Sequence, residues 1–207
     1  LLPKSFPKWQ TVYHHFRQWS RGDLFARLND RLRKKVRQAV GKRPQPTAAS
    51  LDSQTVRASA HGGQVGYDAG KKTKGRKRFI LVDTLGLLLG ATVVPANCPE
   101  RQGAKTLLAL VLTQYPELLK LWVDGGFTGV DFATWVRAKH GQLVVEVVKR
   151  NDDLKGFVLL PKRWVVERTF GWRMHCRRLV RDHEQTVASA TAWIYLAMLR
   201  LMLRRLA

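Results

Sequence analysis

The chain has 207 residues, of which 45% are hydrophobic, so it is large and apolar enough to fold around one well-buried core. Its 37 Lys and Arg against 15 Asp and Glu give a formal net charge of +22. This charge favours a polyanionic partner such as nucleic acid, although a ribosomal protein or a binder of anionic membranes would share it. The 2 cysteines lack CxxC spacing, which excludes a disulfide framework and a zinc ribbon. No unbroken run approaches the roughly 20 apolar residues of a membrane span, so we expect no membrane association.

The start of the chain predicts two amphipathic helices, because apolar residues recur there at three- and four-residue spacing. These apolar positions are Trp9, Val12, Phe16, Trp19, Leu24, Leu28, Leu32 and Val36. Basic residues crowd the other faces of the second helix, which fits a solvated surface and DNA-backbone contact equally well. Prolines then break the pattern within residues 41–46. We therefore predict a helical DNA-binding segment at residues 1–46, shortened at its start because the chain opens without Met.

From residue 47 onward, strands alternate with helices, which predicts a second domain over residues 47–207. The strands are predicted at 48–56, 79–83, 87–94, 119–124 and 143–148. The helices are predicted at 103–114, 130–139, 163–178 and 186–207. This order, three strands followed by alternating helices and strands, is that of a ribonuclease-H-like domain. We therefore predict the α/β class, with a ribonuclease-H-like mixed sheet and flanking helices after a small helical N-terminal segment.

A basic stretch separates the first two predicted strands. Six of the eight residues 71–78 are positively charged, namely Lys71, Lys72, Lys74, Arg76, Lys77 and Arg78. Lysines on flexible stems and a glycine suit a mobile loop that grips DNA phosphates, and the stretch has no Asn or Gln to pair with adenine edges. We predict that it holds DNA without reading its sequence. The alternative is a solvated loop that does not touch DNA.

Three acidic residues lie where such a sheet would bring them together: Asp52 in the first strand, Asp124 ending the fourth and Glu167 in a late helix. A carboxylate in an apolar strand needs compensation for its lost hydration. Mg²⁺ takes carboxylate oxygens, and two such ions about 3.5–4 Å apart would serve phosphoryl transfer. Each residue alone also fits an ordinary role, as a turn, a cap or an ion pair with Arg163. Asp83 ends a strand too, but its sequence predicts a simple hairpin turn.

Longer motifs carry a family resemblance over most of the chain. They are WQTVY at 9–13, SLDSQ at 50–54, GYDAG at 66–70, GRK at 75–77, ILVDTLG at 80–86, DGGFTG at 124–129, RWVVERTFGW at 163–172 and CRRL at 176–179. With them the chain resembles the DDE transposases of bacterial insertion sequences, in the group named for insertion sequence five. The resemblance implies a ribonuclease-H-like domain whose catalytic residues and metal ligands are Asp52, Asp124 and Glu167. It also implies Mg²⁺ as cofactor, with Mn²⁺ as a substitute, and cleavage and strand transfer at element ends.

The same resemblance implies partners and a location. We expect the protein to bind double-stranded DNA, as terminal inverted repeats and as target, and to form a homodimer when assembled on DNA. A bacterial protein of this kind is expected in the cytoplasm, associated with the nucleoid. Two alternatives stay open: a related nuclease of the same fold that cuts without joining, and a catalytically silent DNA-binding fragment that restrains transposition.

The glutamate helix departs from the wider superfamily's spacing of Tyr, Arg, Glu and Lys. Arg163 and Glu167 fit this spacing, whereas Leu160 stands at the tyrosine position and Met174 at the lysine position. The neighbouring residues expected to replace the lysine in holding the terminal phosphate are Arg173 and Arg177. The departure concerns the grip on DNA and leaves the expected metal ligands unchanged.

The face of the glutamate helix is the last feature that the sequence specifies. At 100° per residue, Arg163, Gly171, Met174 and Arg178 share the face of Glu167. The arginines on this face are expected to contact DNA. Gly171 adds no side chain to this face, which would allow either a DNA backbone or a neighbouring helix to approach closely, and the two possibilities are equally compatible with the sequence.

Overall fold

The structure of the protein, a computed structural model, describes residues 3–59, 63–148 and 161–207. Its strands are β1 (Ala48–Arg57), β2 (Gly66–Asp68), β3 (Thr73–Asp83), β4 (Leu88–Pro95), β5 (Lys120–Val123) and β6 (Val144–Val147). Its helices are α1 (Trp9–Arg21), α2 (Leu24–Ala39), α3 (Glu100–Val111), α4 (Val130–Lys139), α5 (Pro161–Met174), α6 (Arg177–Val180) and α7 (Val187–Leu206). Helices and strands thus alternate after residue 47, as the hydrophobic periodicity predicts.

The long strands form one mixed sheet in the order β4-β3-β1-β5-β6, with the short β2 also paired to β3. The β1-β3 and β3-β4 pairs are antiparallel, whereas β5 runs parallel to β1 and β6 runs parallel to β5. The sheet is curled, and helices flank it. This is the arrangement of a ribonuclease-H-like domain, so the predicted fold class is confirmed.

Each face of the sheet is covered by its own hydrophobic core, because alternate residues of a strand point to opposite faces. On one face, Phe79 and Leu81 of β3 pack with buried side chains of α3 and α4. On the other face, Ile80 and Val82 pack with α2, α5 and α7. Because both faces are covered, β3 is apolar without interruption over Phe79–Val82. For the same reason, the charged residues Arg76, Lys77 and Arg78 of this strand are buried.

Helix α2 shares the second core. Its Phe25 and Val36 are buried there, and the Asn29 side chain donates to the Leu88 carbonyl at 2.7 Å. The predicted boundary at residues 41–46 therefore separates elements that pack together through α2. Helix α1 has no buried residue and contacts α2 and α7 only along one side. A DNA-binding role for this N-terminal segment stays a prediction.

Helix α7 is long and apolar enough, by length and composition alone, to cross a membrane, and it is the one such helix in the part of the chain that the structure describes. It packs against α2 and β4, however, and its Ala190, Ile194, Met198 and Met202 are almost fully buried in the second core. The same hydrophobicity is thus explained by its place in this domain.

Two element boundaries differ from the sequence prediction. Strand β3 begins at Thr73 and not at residue 79, so most of the predicted mobile basic loop is strand, and the prediction of a loop is wrong from that residue onward. The predicted helix at 163–178 is interrupted after Met174, because Cys176 adopts an extended conformation (φ −88°, ψ 103°) before the short α6. The interruption turns the chain back toward β1, where Ala58 forms a bridge with Asp182.

Candidate active site

Asp52 and Asp124 lie at the same edge of the sheet. Parallel β1 and β5 pair Ser50 with Trp122, and each aspartate follows its member of this pair by two residues. Asp52 lies in the middle of β1 and Asp124 directly follows β5, so the parallel pairing places the two aspartates at neighbouring positions where β5 ends. The turn after Asp124 is set locally, since its Oδ1 accepts a hydrogen bond from the Gly126 amide at 2.9 Å.

Helix α5 brings Glu167 to this edge. The Ser50 hydroxyl donates to the Lys162 carbonyl at 2.9 Å, which ties the first turn of α5 to β1. Val166 and Phe170 then turn one face of the helix into the second core. Glu167 lies beside this buried face and not within it, with its side chain 43% exposed. It is neither a core residue nor a cap.

Arg163 links two of the three carboxylates. Its Nη2 lies 3.3 Å from Glu167 Oε1 and 3.8 Å from Asp124 Oδ2. The contact with Glu167 is the ion pair that an ordinary surface helix would make, whereas the contact with Asp124 crosses from α5 to the end of β5. The guanidinium thus lies where positive charge is needed at this edge.

The surroundings of Asp52 disfavour its charged form. The net effect of its surroundings is to raise the pKa of Asp52 from its ordinary value of 3.8 to about 7; burial is the largest cause, and the nearby charge of Asp124 acts in the same direction. The Ser53 amide, which donates to Asp52 Oδ1 at 2.7 Å, lowers this pKa, as do the positive charges of Arg163 and Lys71. Asp52 is therefore a carboxylate that lacks enough compensating charge.

The donor set suits a hard divalent cation. All three side chains offer carboxylate oxygens, and Asp52 and Asp124 repel each other, so a bound cation would favour the charged form of Asp52. Within the described residues, no three acidic, histidine or cysteine side chains form a group close enough to surround one ion. The three carboxylates nevertheless lie at one edge, with Arg163 between Asp124 and Glu167.

Asp83 has the structural role that its sequence predicts. Its Oδ1 accepts hydrogen bonds from the Leu85 and Leu87 amides, each at 2.9 Å, and so closes the β3-β4 turn. Its Oδ2 lies 2.7 Å from Arg37 Nη1 of α2 in a buried ion pair. The carboxylate is fully buried and fully partnered.

The basic stretch divides into an exposed and a buried half. Lys71 and Lys72 form the exposed tip of the β2-β3 hairpin, with Lys72 at a positive φ of 47°, and Lys74 is exposed beside them. Lys71 is close enough to Asp52 for its charge to lower the Asp52 pKa. A phosphate held by Lys71 would therefore lie near Asp52.

The other three basic residues, Arg76, Lys77 and Arg78, are almost completely buried, which corrects the expectation that they face DNA. They lie in β3, a central strand covered on both faces. Arg76 pairs with Asp182 at 3.2 Å, and Arg78 donates to the Leu179 carbonyl at 2.6 Å. These bonds fasten the segment after α6 to the sheet, so their charges serve the fold.

The predicted phosphate contacts around α5 are also divided. Arg177 is exposed on α6, whereas Arg173 is buried, which corrects its assignment as a surface residue. Burial and the neighbouring charge of Arg78 lower the pKa of Arg173 to about 9. Arg178 lies beyond the helix break and pairs with Glu184 at 2.7 Å. Leu160 lies outside the described residues.

Gly171 and Met174 both lie exposed on α5. A Cβ atom at Gly171 would meet nothing within 4 Å among the described residues, so the packing of a neighbouring helix does not account for this glycine. The face of α5 that carries Glu167 is consequently open beside the carboxylate.

Sequence reasoning missed the connection among three residues next to this site. Ser53 follows Asp52 and its hydroxyl donates to Glu100 Oε2 at 2.7 Å, while Glu100 Oε1 lies 3.0 Å from the buried Lys77 Nζ. The sequence signal at this point is the Pro99-Glu100 pair, which begins α3 and shows only a helix start. That Glu100 returns to β1 depends on a tertiary contact that a local pattern does not reveal.

The model of one known protein family matches the part of the chain that contains this site. The family model described as "Transposase DDE domain" matches residues 43–202. The match includes the three carboxylates and the strands and helix that position them, and it excludes α1 and α2. No curated protein matches the chain.

Proposed function

We propose, because the chain belongs to the transposase family defined by the DDE domain, that it cuts and joins DNA at the ends of an insertion sequence. The observation that supports this most is the placement of Asp52, Asp124 and Glu167 at one sheet edge, with Arg163 joining the last two. The group named for insertion sequence five is the subfamily that its motifs favour. The proposed setting is the bacterial cytoplasm at the nucleoid.

Each carboxylate has a distinct structural position but a shared proposed role. Asp52, Asp124 and Glu167 would hold Mg²⁺, or Mn²⁺ in its place. Such ions activate a water or 3′-hydroxyl and stabilise the departing oxygen in phosphoryl transfer. In the first reaction a water oxygen replaces the ester oxygen on phosphorus and leaves a 3′-hydroxyl. In the second, that hydroxyl attacks a target phosphodiester, exchanging one ester bond for another.

The residues of the chain itself position the DNA for this reaction. Arg163 lies beside two of the carboxylates, where its guanidinium can donate to a phosphate oxygen. Lys71, Lys72 and Lys74 offer exposed charges on the hairpin near Asp52, and Arg177 offers one on α6. We propose that a homodimer assembles on DNA and brings the two ends of the element together. The basic residues of each protomer would then hold one DNA end.

The test is a cleavage and joining assay on a duplex that carries the terminal repeats of the element. With Mg²⁺ or Mn²⁺ we expect cut ends, and joined products when target DNA is added. Chelation should remove both products. Ca²⁺, which oxygen ligands also bind but with longer bonds and a less strict geometry than Mg²⁺, should support DNA binding with little chemistry. Full activity after exhaustive chelation, or in Asp124→Asn, would contradict the proposal.

Two other outcomes separate the alternatives. Cutting without joining at any target concentration would indicate a nuclease of the same fold. Repeat-specific binding without cutting, in every metal ion tested, would indicate a silent fragment that restrains transposition. The open edge with its three carboxylates favours an active enzyme, because a protein that only binds DNA has no use for acidic groups that repel phosphates.

A further inference from the structure

Glu100 connects the neighbours of two site aspartates. Its Oε2 accepts a hydrogen bond from the Ser53 hydroxyl at 2.7 Å, and the Ser53 amide in turn donates to Asp52 Oδ1 at 2.7 Å. Ser53 is thus bonded to Asp52 through its backbone and to Glu100 through its side chain. The first turn of α3 is thereby fastened to β1 at the residue after Asp52.

The same glutamate lies against the turn after Asp124. A Cβ atom placed on Gly126 would lie 3.8 Å from Glu100 Cγ and 3.1 Å from Asp124 Oδ1. Gly126 also donates its amide to Asp124, so this turn defines where the Asp124 carboxylate points. One side chain therefore bonds to the residue after Asp52 and lies close to the turn that holds Asp124.

Lys77 fixes Glu100 from the opposite side. Its ammonium lies 3.0 Å from Glu100 Oε1 and 3.7 Å from Asp68 Oδ2, and it donates to the Cys98 carbonyl at 3.0 Å. The side chain of Lys77 is 7% exposed, so this pairing is largely shielded from solvent. Glu100 is thus partnered by Ser53 and Lys77, which distinguishes it from the three site carboxylates.

We infer that Glu100, held by Ser53 and Lys77, is a positioning residue that sets the separation of Asp52 and Asp124. This inference rests on the proposed function, because the separation matters if the two carboxylates share a cation. Metal sites depend on outer partners that orient their ligands, and removal of one such partner typically weakens metal affinity or activity about 10–100-fold.

The experiment measures Mn²⁺ binding and DNA cleavage separately in the full chain. Mn²⁺ affinity is obtained by titration with detection of the free ion by electron paramagnetic resonance. We expect Ser53→Ala and Glu100→Ala to weaken Mn²⁺ binding about 10-fold and to lower cleavage most at limiting metal. Glu100→Gln keeps an acceptor for Ser53 and should retain most of the affinity.

The matched control is Thr55→Val. Thr55 lies two residues further along β1 on the same face as Ser53, and its hydroxyl donates to Asp68 at 2.6 Å. The change removes the same kind of hydroxyl–carboxylate bond without touching Glu100, so Mn²⁺ affinity should stay as in the wild type. Circular dichroism and thermal unfolding establish that each variant is folded; if Glu100→Ala is not, Ser53→Ala, which removes one hydroxyl, decides.

Wild-type Mn²⁺ affinity and cleavage in folded Ser53→Ala would overturn the inference, as would an equal weakening in Thr55→Val. Failure of the proposed function looks different. In that case the wild type binds no Mn²⁺, or Asp124→Asn leaves binding and cleavage unchanged.

Discussion

Two aspartates in neighbouring strands differ in their surroundings: one serves the fold, and the other belongs to the proposed active site. Asp83 closes the β3-β4 turn, where two backbone amides and Arg37 occupy its oxygens. Asp52 lies in β1 at the carboxylate edge, where the described residues give it one donor, the Ser53 amide, at 2.7 Å. Both lie in apolar strands, and it is the residues that follow Asp83 that predict its hairpin turn.

The difference lies in the completeness of their partners. A buried carboxylate whose oxygens are all occupied is stabilised as an anion and holds its surroundings in place. A carboxylate short of donors and close to another anion has a raised pKa, as burial and Asp124 give Asp52. This shortage of partners is why we propose that a cation completes the surroundings of Asp52.

The strongest test of this contrast replaces each aspartate by asparagine. Asp52→Asn should lower metal-dependent cleavage at least ~1,000-fold, because it removes a charge that holds the cation but keeps the side-chain size. Asp83→Asn should retain cleavage within about 3-fold per folded molecule. The measurement is the cleavage rate divided by the folded fraction; an active Asp52→Asn enzyme would remove the distinction between the two regions.

Stability should show the reverse order. Asp83→Asn leaves Arg37, which is 4% exposed, without its anion. Breaking a buried pair in this way costs about 3–5 kcal/mol, or roughly 6–20 °C in unfolding temperature for a domain of this size. Calorimetry measures the destabilisation. The double variant Asp83→Asn with Arg37→Met should recover much of it, and equal unfolding temperatures for wild type and Asp83→Asn would contradict a structural role.

The pH dependence of stability should distinguish the regions next. The folded pKa of Asp52, about 7, lies above its ordinary value of 3.8, so the folded state keeps the proton to higher pH than the unfolded state does. In chelator, this residue therefore lowers the stability of the wild type progressively from about pH 4 to about pH 7. Asp52→Asn lacks this dependence.

The unfolding temperature of Asp52→Asn should consequently exceed that of wild type by roughly 9–17 °C at pH 8, with the gap closing toward pH 4. Added Mg²⁺ should stabilise the wild type more than the variant, because ligands that bind the folded state raise its stability. A difference that is constant with pH would mean that burial does not disfavour the Asp52 anion.

The sequence predicts the parts of this molecule that depend on local patterns. The turn at Asp83 and the helix at 130–139 follow from turn chemistry and periodicity, and both are confirmed. The order of strands and helices predicts the sheet that brings Asp52 and Asp124 to one edge. The placement of Asp52 and Asp124 thus follows from the sequence, whereas the identity of a bound metal ion does not.

The remainder depends on partners distant in the chain. The sequence predicts Arg76 and Arg78 to be exposed because their counter-ion Asp182 and several of the carbonyls that accept their protons, those of Leu179, Glu184 and Gln185, lie more than 100 residues later. Helix α5 ends at Met174 because the chain then turns back so that Asp182 can form a bridge with Ala58. The spacing of apolar residues along the helix gives no sign of this distant contact. Likewise, the hydrogen bond between Glu100 and Ser53 spans 47 residues.

Within the basic stretch, some charges are paired with protein groups and others are exposed. The effect of the exposed charges on DNA binding is the smallest that we predict. Arg76 and Arg78 are occupied by protein groups, whereas Lys71, Lys72 and Lys74 extend into solvent on the hairpin tip. We expect these three lysines to hold DNA phosphates without reading sequence. Replacing all three by Gln should weaken binding to specific and random duplexes alike.

A salt titration measures this effect. The slope of log affinity against log salt should fall by up to about 0.9 for each phosphate that the variant no longer neutralises. The control replaces Lys120, Arg137 and Lys139, also exposed, where β5 begins and α4 ends, at the sheet edge opposite Asp124. Because both triple variants remove equal charge, a smaller slope in the hairpin variant alone would locate the DNA path over the carboxylate edge. Equal slopes for the two triple variants would mean that the hairpin lysines contribute only to the overall positive charge of the protein. Weaker binding of the hairpin variant to the specific duplex alone would mean that the hairpin reads bases.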